Sequence, residues 1–261
     1  ADSYARSPTT EMKDIVFASD LDNTLLYSRS HKREGDVCVE HIKGEAHGFM
    51  TPLAVERLRE VSQKVQLIPV TTRSVEQYRR IEWPEGTAPE YAVTTNGAVL
   101  LHGGEVDAAW REAHDALIAP AREEIARCHA LYLDDAAFIR CRIVDDAYLF
   151  VYCADGVDAQ AQAEKCQKRT SLRVEPSGRK IYFFPPKLTK GAALRELCRR
   201  FSPRRVYAAG DTAIDAPLLA AADRAFAAKT LAMEDAAHIR RHTGCGVFAE
   251  WLLGEILREL D

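Results

Sequence analysis

With 261 residues the chain is long enough for one large domain or two medium ones, and for a sizeable buried core. A net charge of −4, with 47% apolar and 28% charged residues, describes an ordinary globular composition and excludes a general attraction to nucleic acid or anionic membranes. No apolar run approaches the roughly 20 residues of a membrane-spanning helix, so no membrane role is expected. Residues 1–14 are polar, lack the apolar stretch of a signal peptide and predict a frayed tail. The seven cysteines are odd in number and show no CxxC spacing, which fits reduced thiols in a cytoplasmic protein.

Residues 14–19 form a short apolar run that reads as a buried strand of a parallel sheet. Residues 28–36 are polar and predict a loop, and the segments 37–41 and 46–50 predict a hairpin. Thr51-Pro52 marks a helix start, with Leu53, Val55, Leu58 and Val61 expected on its apolar side. A second strand follows over 65–70, a short helix capped by Ser74, a loop over 83–90, and a third strand over 91–93 that ends at the Asn96-Gly97 turn. This alternation is that of an open α/β sheet.

The pattern changes at Gly103-Gly104. One long helix is expected over 110–130, then a hairpin of strands 138–144 and 148–153, a helix over 157–169, and a second hairpin of strands 172–175 and 180–184. That αββαββ block predicts a small antiparallel sheet covered by helices, inserted over 104–183. After Pro185-Pro186 the α/β order resumes, with a helix over 190–201, strands at 205–209 and 225–228, and a closing amphipathic helix over 248–260.

Chemistry-bearing residues gather where strands end. Asp20 and Asp22 follow the first strand together with Thr24; Thr71 follows the second, beside Arg73; Lys190 opens a later helix; Gly210, Asp211 and Asp215 follow the strand ending at 209. In open parallel sheets this carboxyl rim is where ligands bind. Four carboxylates there would repel one another unless a cation joined them, and hard oxygen ligands select magnesium. A lysine at a helix start opposes the helix dipole, which points to an anionic partner. Together the residues describe metal-assisted phosphoryl transfer to a carboxylate.

In order and spacing these motifs resemble the haloacid dehalogenase superfamily. Asp20, Asp22 and Thr24 match its first motif, Thr71 its second, Lys190 its third, and Gly210-Asp211 with Asp215 its fourth. Residues 71–73 and 95–98 look like the Cof-type sugar-phosphatase branch, and the insert resembles the smaller of that branch's cap types. Thr72 and Asn23 depart from glycines common at those places, and the segment 27–50 is longer than in most such proteins. The resemblance implies a Rossmann-like catalytic core over 1–103 and 184–261, an inserted α+β cap over 104–183, and a Mg2+-dependent phosphatase acting on a small phosphate ester. Asp20 would then be the nucleophile and Asp22 the general acid and base. Asp20, the Asp22 carbonyl and Asp211 would hold the metal, supported by Asp215. Thr71 and Lys190 would hold phosphoryl oxygens. Substrate contacts are expected from Arg73, Asn96, Gly97, Arg140, Arg142, Arg179 and Lys180; alternation puts Arg140 and Arg142 on one face of their strand. With 11 Lys and Arg against 14 Asp and Glu, the insert offers no basic surface for a polymer. A phosphomutase, or a silent binding protein keeping the fold, are the alternatives; the presence of both Asp20 and Asp22 weighs against the second.

Overall fold

The computed structural model describes residues 12–261, so the expected N-terminal tail falls almost wholly outside the described residues. At the centre is a parallel sheet in the spatial order Ile239–Arg241, Arg224–Ala227, Arg205–Gly210, Ile15–Ser19, Gln66–Pro69. Side chains alternate across it: Val16 and Ala18 join one apolar cluster, with Ile68 and Ala208, while Phe17 joins the other, with Leu67 and Ala209. Both faces are thus covered, which is why these strands read as continuous apolar runs.

Beyond Gln66–Pro69 the sheet continues by one parallel bridge, Val70 to Val93. The strand Tyr91–Thr94 then pairs antiparallel with Val99–His102, and that with Glu105–Val106, instead of extending the parallel order. The reversal is made at Thr95, Asn96 and Gly97, with φ of 55°, 55° and 115°. The three-residue strand Ile239–Arg241 was not anticipated, because Ile-Arg-Arg carries no apolar pattern.

The helix Pro52–Lys64 is capped by the Thr51 hydroxyl, which accepts from the Ala54 N–H at 3.1 Å. It buries Ala54, Val55, Leu58 and Val61; Leu53, expected on that side, faces outward at 39% exposure. Just before it, Val37–Ile42 and Glu45–Met50 form the expected hairpin, closed at Lys43 and Gly44 with φ of 52° and 81°, and Tyr27–Ser28 adds a third strand.

In chain order, between the strands Gln66–Pro69 and Arg205–Gly210 of the parallel sheet, comes a separate four-stranded antiparallel sheet, in the order Arg173–Ser177, Lys180–Phe184, Tyr148–Cys153, Phe138–Val144. The helix expected over 110–130 is two, Ala108–Ile118 and Arg122–Tyr132, because Pro120 lacks the N–H that would continue it. Arg122–Tyr132 and Ala159–Gln167 cover one face of this sheet: Cys141 Sγ donates to the His129 carbonyl, and the Tyr132 and Phe183 rings lie 5.4 Å apart. The opposite face carries Tyr148, whose hydroxyl donates to the Thr72 carbonyl of the parallel-sheet rim. A second tie comes from the hairpin turn, where Asp145 Oδ2 accepts from Val75 N–H at 3.0 Å and from Thr95 Oγ1 at 2.5 Å. No helix among the described residues is long and apolar enough to cross a membrane.

Candidate active site

The site assembles on the carboxyl ends of adjacent parallel strands. Asp20 follows Ile15–Ser19 and is pinned by its N–H, which donates to the Ala209 carbonyl at 3.0 Å. Thr71 follows the neighbouring strand, fully buried, with its N–H on the Val93 carbonyl and its hydroxyl accepting from Arg73 N–H at 3.1 Å. Lys190 sits at the first turn of the helix Lys190–Phe201, capped by the Thr189 hydroxyl. Its ammonium is 1% exposed and donates to Asp20 Oδ1 and Asp215 Oδ1, each at 2.6 Å. Thr24 Oγ1 donates to the other oxygen of Asp20 at 3.2 Å.

Asp215 is 1% exposed and held on both sides. Its Oδ2 accepts from the N–H groups of Asp211 and Thr212 at 3.0 and 3.1 Å. Gly210 makes this possible: a Cβ there would lie 2.3 Å from the Asp215 Cβ. Gly191, not singled out in the sequence, has the same role on the other side, since a Cβ there would lie 2.3 Å from the Pro217 carbonyl oxygen. Two close backbone approaches therefore set the Lys190–Asp215 distance. Gly210→Ala is expected to destabilise the fold by about 1–3 kcal/mol through overpacking and to lower activity further by displacing Asp215, checked by chemical denaturation beside an activity assay.

The electrostatics follow from crowding. Burial first, then the neighbouring Asp215 charge, pushes the Asp20 carboxyl up to about 6 against the pull of Lys190. The Asp211 carboxyl is pushed up to about 9 by burial and by Asp20 and Asp215. Burial alone would lower Lys190, but its two carboxylate partners outweigh that and hold it above its ordinary value. Asp20, Asp211 and Asp215 each present an oxygen within 4.8 Å of the others. An anionic, all-oxygen donor set under this mutual repulsion fits a hard divalent cation such as Mg2+. A cleft of about 400 Å³ opens against Thr24 and Asp211, walled in part by Tyr27, His31 and Arg33.

Asp22 is placed differently. It keeps 43% of its side chain open to water, and its two oxygens take a fork from Arg73, Nε at 2.9 Å and Nη2 at 2.8 Å. Desolvation in the crowded cleft would raise its pKa, but Arg73 more than offsets this and leaves it below the usual carboxylate range. The other edge of Arg73 is taken by Glu40, at 2.9 and 3.0 Å, a residue 1% exposed that also receives Arg80. The guanidinium expected to meet substrate is thus shared between Asp22 and the 37–50 hairpin. Glu40 was not foreseen. Register shifts on either side of it turn it inward, and the approach of Gly48, whose Cβ would lie 2.9 Å from the Glu40 Cβ, gives it room.

Asn96 and Gly97 are both buried. Asn96 Nδ2 donates to the Leu188 carbonyl at 3.2 Å and its N–H to the Thr71 carbonyl at 2.9 Å; a Cβ on Gly97 would lie 3.2 Å from the Thr189 carbonyl oxygen. They tie the Thr71 segment to the start of the Lys190 helix. Arg140, Arg142, Arg179 and Lys180 are exposed and lie on the inserted domain, with Lys180 near enough to Asp22 for their charges to act on each other. Arg179 is held by Asp155 at 2.8 Å and by the Cys153 carbonyl.

No family model matches the chain, and no curated protein matches it in sequence. Solved structures do match it along almost its whole length. The sucrose-phosphatase of Synechocystis sp. PCC6803, solved with sucrose and phosphate, is 16% identical, with a TM-score of 0.65 over 96% of this chain and 99% of that one. A phosphatase of the haloalkanoate dehalogenase superfamily from Bacteroides thetaiotaomicron, also 16% identical, covers 99% of both chains at a TM-score of 0.57. The trehalose-6-phosphate phosphatase of Aspergillus fumigatus is 14% identical, covering 94% of this chain and 92% of that one, at a TM-score of 0.53. The chain has the α/β fold of the haloacid dehalogenase superfamily phosphatases.

Proposed function

We propose that the chain is a phosphomonoesterase of the haloacid dehalogenase type, acting on a small phosphorylated metabolite under the inserted sheet as a cap. The observation that carries this reading is the buried Lys190 ammonium bridging Asp20 and Asp215 at the carboxyl rim of the parallel sheet. Asp20, the main-chain carbonyl of Asp22 and Asp211 would hold a magnesium ion, which supplies charge neutralisation for the phosphoryl oxygens. An Asp20 carboxylate oxygen attacks phosphorus while the ester P–O bond breaks, giving an aspartyl phosphate. Asp22, once protonated from solvent, gives that proton to the leaving oxygen, then takes one from the water that attacks phosphorus and frees Asp20 and inorganic phosphate. For this Asp22 turns off the Arg73 fork, and Glu40 keeps the guanidinium partnered when it does so. Lys190 and Thr71 stabilise the phosphoryl oxygens as charge develops, and Thr24 steadies the carboxylate of Asp20.

The reading is tested with p-nitrophenyl phosphate. Hydrolysis should vanish in EDTA, return with magnesium, and return poorly with calcium, whose looser and larger coordination misplaces the attacking oxygen. Full activity in EDTA, with no metal bound, would refute it. Release of inorganic phosphate without a bisphosphate activator separates a hydrolase from a mutase.

A further inference from the structure

The face of the inserted sheet that meets the rim carries two cross-strand rows. Register places Arg140 opposite Tyr152 and Tyr152 opposite Lys180; in the next row Arg142 faces Phe150 and Phe150 faces Tyr182. The Arg140 guanidinium lies 5.8 Å from the Tyr152 ring centroid and that of Arg142 5.6 Å from Phe150. Tyr148 stands on this same face and bonds the Thr72 carbonyl, so the rows look toward the core rim. At the inner end of the first row, Lys180 comes close enough to Asp22 for their charges to act on each other.

The nearby carboxylates are already taken, Glu175 by Arg173 and Asp155 by Arg179, each at 2.8 Å. Among the described residues no carboxylate forms an ion pair with Arg140, Arg142 or Lys180. Arg140 and Arg142 thus stand on aromatic rings without ion-pair partners, and Lys180 stands in register beside them on the face that meets the rim. Rings hold the arginine planes in place while leaving their N–H edges free for a planar or tetrahedral oxyanion.

We infer that the substrate carries, besides the phosphoryl group bound at the core, a second oxyanion on its leaving group, received by Arg140, Arg142 and Lys180. This rests on the phosphomonoesterase reading above and narrows it from any phosphate ester to those with a carboxylate or a second phosphate.

The experiment measures kcat/KM of the full chain with magnesium on two matched pairs. Glycerol 3-phosphate against 3-phosphoglycerate reads a carboxylate; fructose 6-phosphate against fructose 1,6-bisphosphate reads a phosphate. In at least one pair the member with the second anion should be favoured about tenfold or more. The double substitution Arg140→Ala with Arg142→Ala should collapse that preference through KM, while Lys180→Ala checks the same loss from the neighbouring strand. Equal kcat/KM within both pairs, or a preference that survives the double substitution, overturns the inference. Failure to hydrolyse p-nitrophenyl phosphate would instead overturn the phosphomonoesterase reading. Melting curves of the variants separate loss of binding from loss of fold.

Discussion

Replacing Asp20 by Asn is expected to lower kcat on p-nitrophenyl phosphate by at least about 10³-fold, the scale on which loss of a covalent nucleophile is felt. The amide is nearly isosteric, so the pairing of Lys190 with Asp215 survives and the fold is retained. What is lost is the anionic oxygen that the proposed mechanism directs at phosphorus. Acid-quenched mixtures analysed by intact mass spectrometry should show a phosphorylated chain for the native protein and none for the variant. Asp22→Asn should behave differently. Nitrophenolate leaves with little protonation, so the first step proceeds and the phosphorylated chain accumulates, because the water of the second step is no longer activated. Near-normal turnover by Asp20→Asn would rule out the covalent route.

The largest stability effect is expected at Lys190. Its ammonium is 1% exposed and sits between two aspartates, one 1% and the other 9% exposed at the side chain. Removing one partner of a buried ion pair leaves uncompensated charge, a loss of about 3–5 kcal/mol. Lys190→Ala should therefore lower the melting temperature by on the order of 10 °C when measured in EDTA, where no added cation takes over the neutralising role. A change of only a degree or two would mean that the two carboxylates rearrange or protonate at little cost. Glu196, half-buried on the same helix and paired among the described residues with Arg199, provides a control whose substitution should be close to neutral.

Much of the core was legible because local signals and tertiary demand agree there. Thr51-Pro52, Ser74 and Thr189 each cap a helix where their residue types foretell it. Short apolar runs bounded by turn signals read as strands of a covered parallel sheet. The gathering of Asp20, Thr71, Lys190 and Asp215 was visible as a pattern of strand ends. What stayed hidden depends on irregularity. Pro120 splits a helix whose apolar spacing continues across it, the Asn96-Gly97 turn was foretold but not the antiparallel strand Val99–His102 that it leads into, and the register shifts at Glu40 send a charged residue inward. Gly191 looked like any helical glycine until its distance from Pro217 was known. The engagement of Arg73 by both Asp22 and Glu40 joins three distant segments, which no single window of sequence contains.

The pairing order of the central sheet also has a consequence for how the chain is made. Ile15–Ser19 leaves the ribosome well before Arg205–Gly210, one of its two sheet neighbours. The bond from Lys190 to Asp20 spans 170 positions. At ordinary synthesis rates that interval lasts on the order of ten to thirty seconds. During it the first strand has Gln66–Pro69 on one side and an open hydrogen-bonding edge on the other. The inserted antiparallel sheet closes on short-range hairpins well before the late strands arrive. The nascent protein thus passes through a stage in which the inserted antiparallel sheet is complete while the parallel sheet is unfinished. That stage is the one most exposed to misassembly, and the one in which a chaperone would find its binding surface.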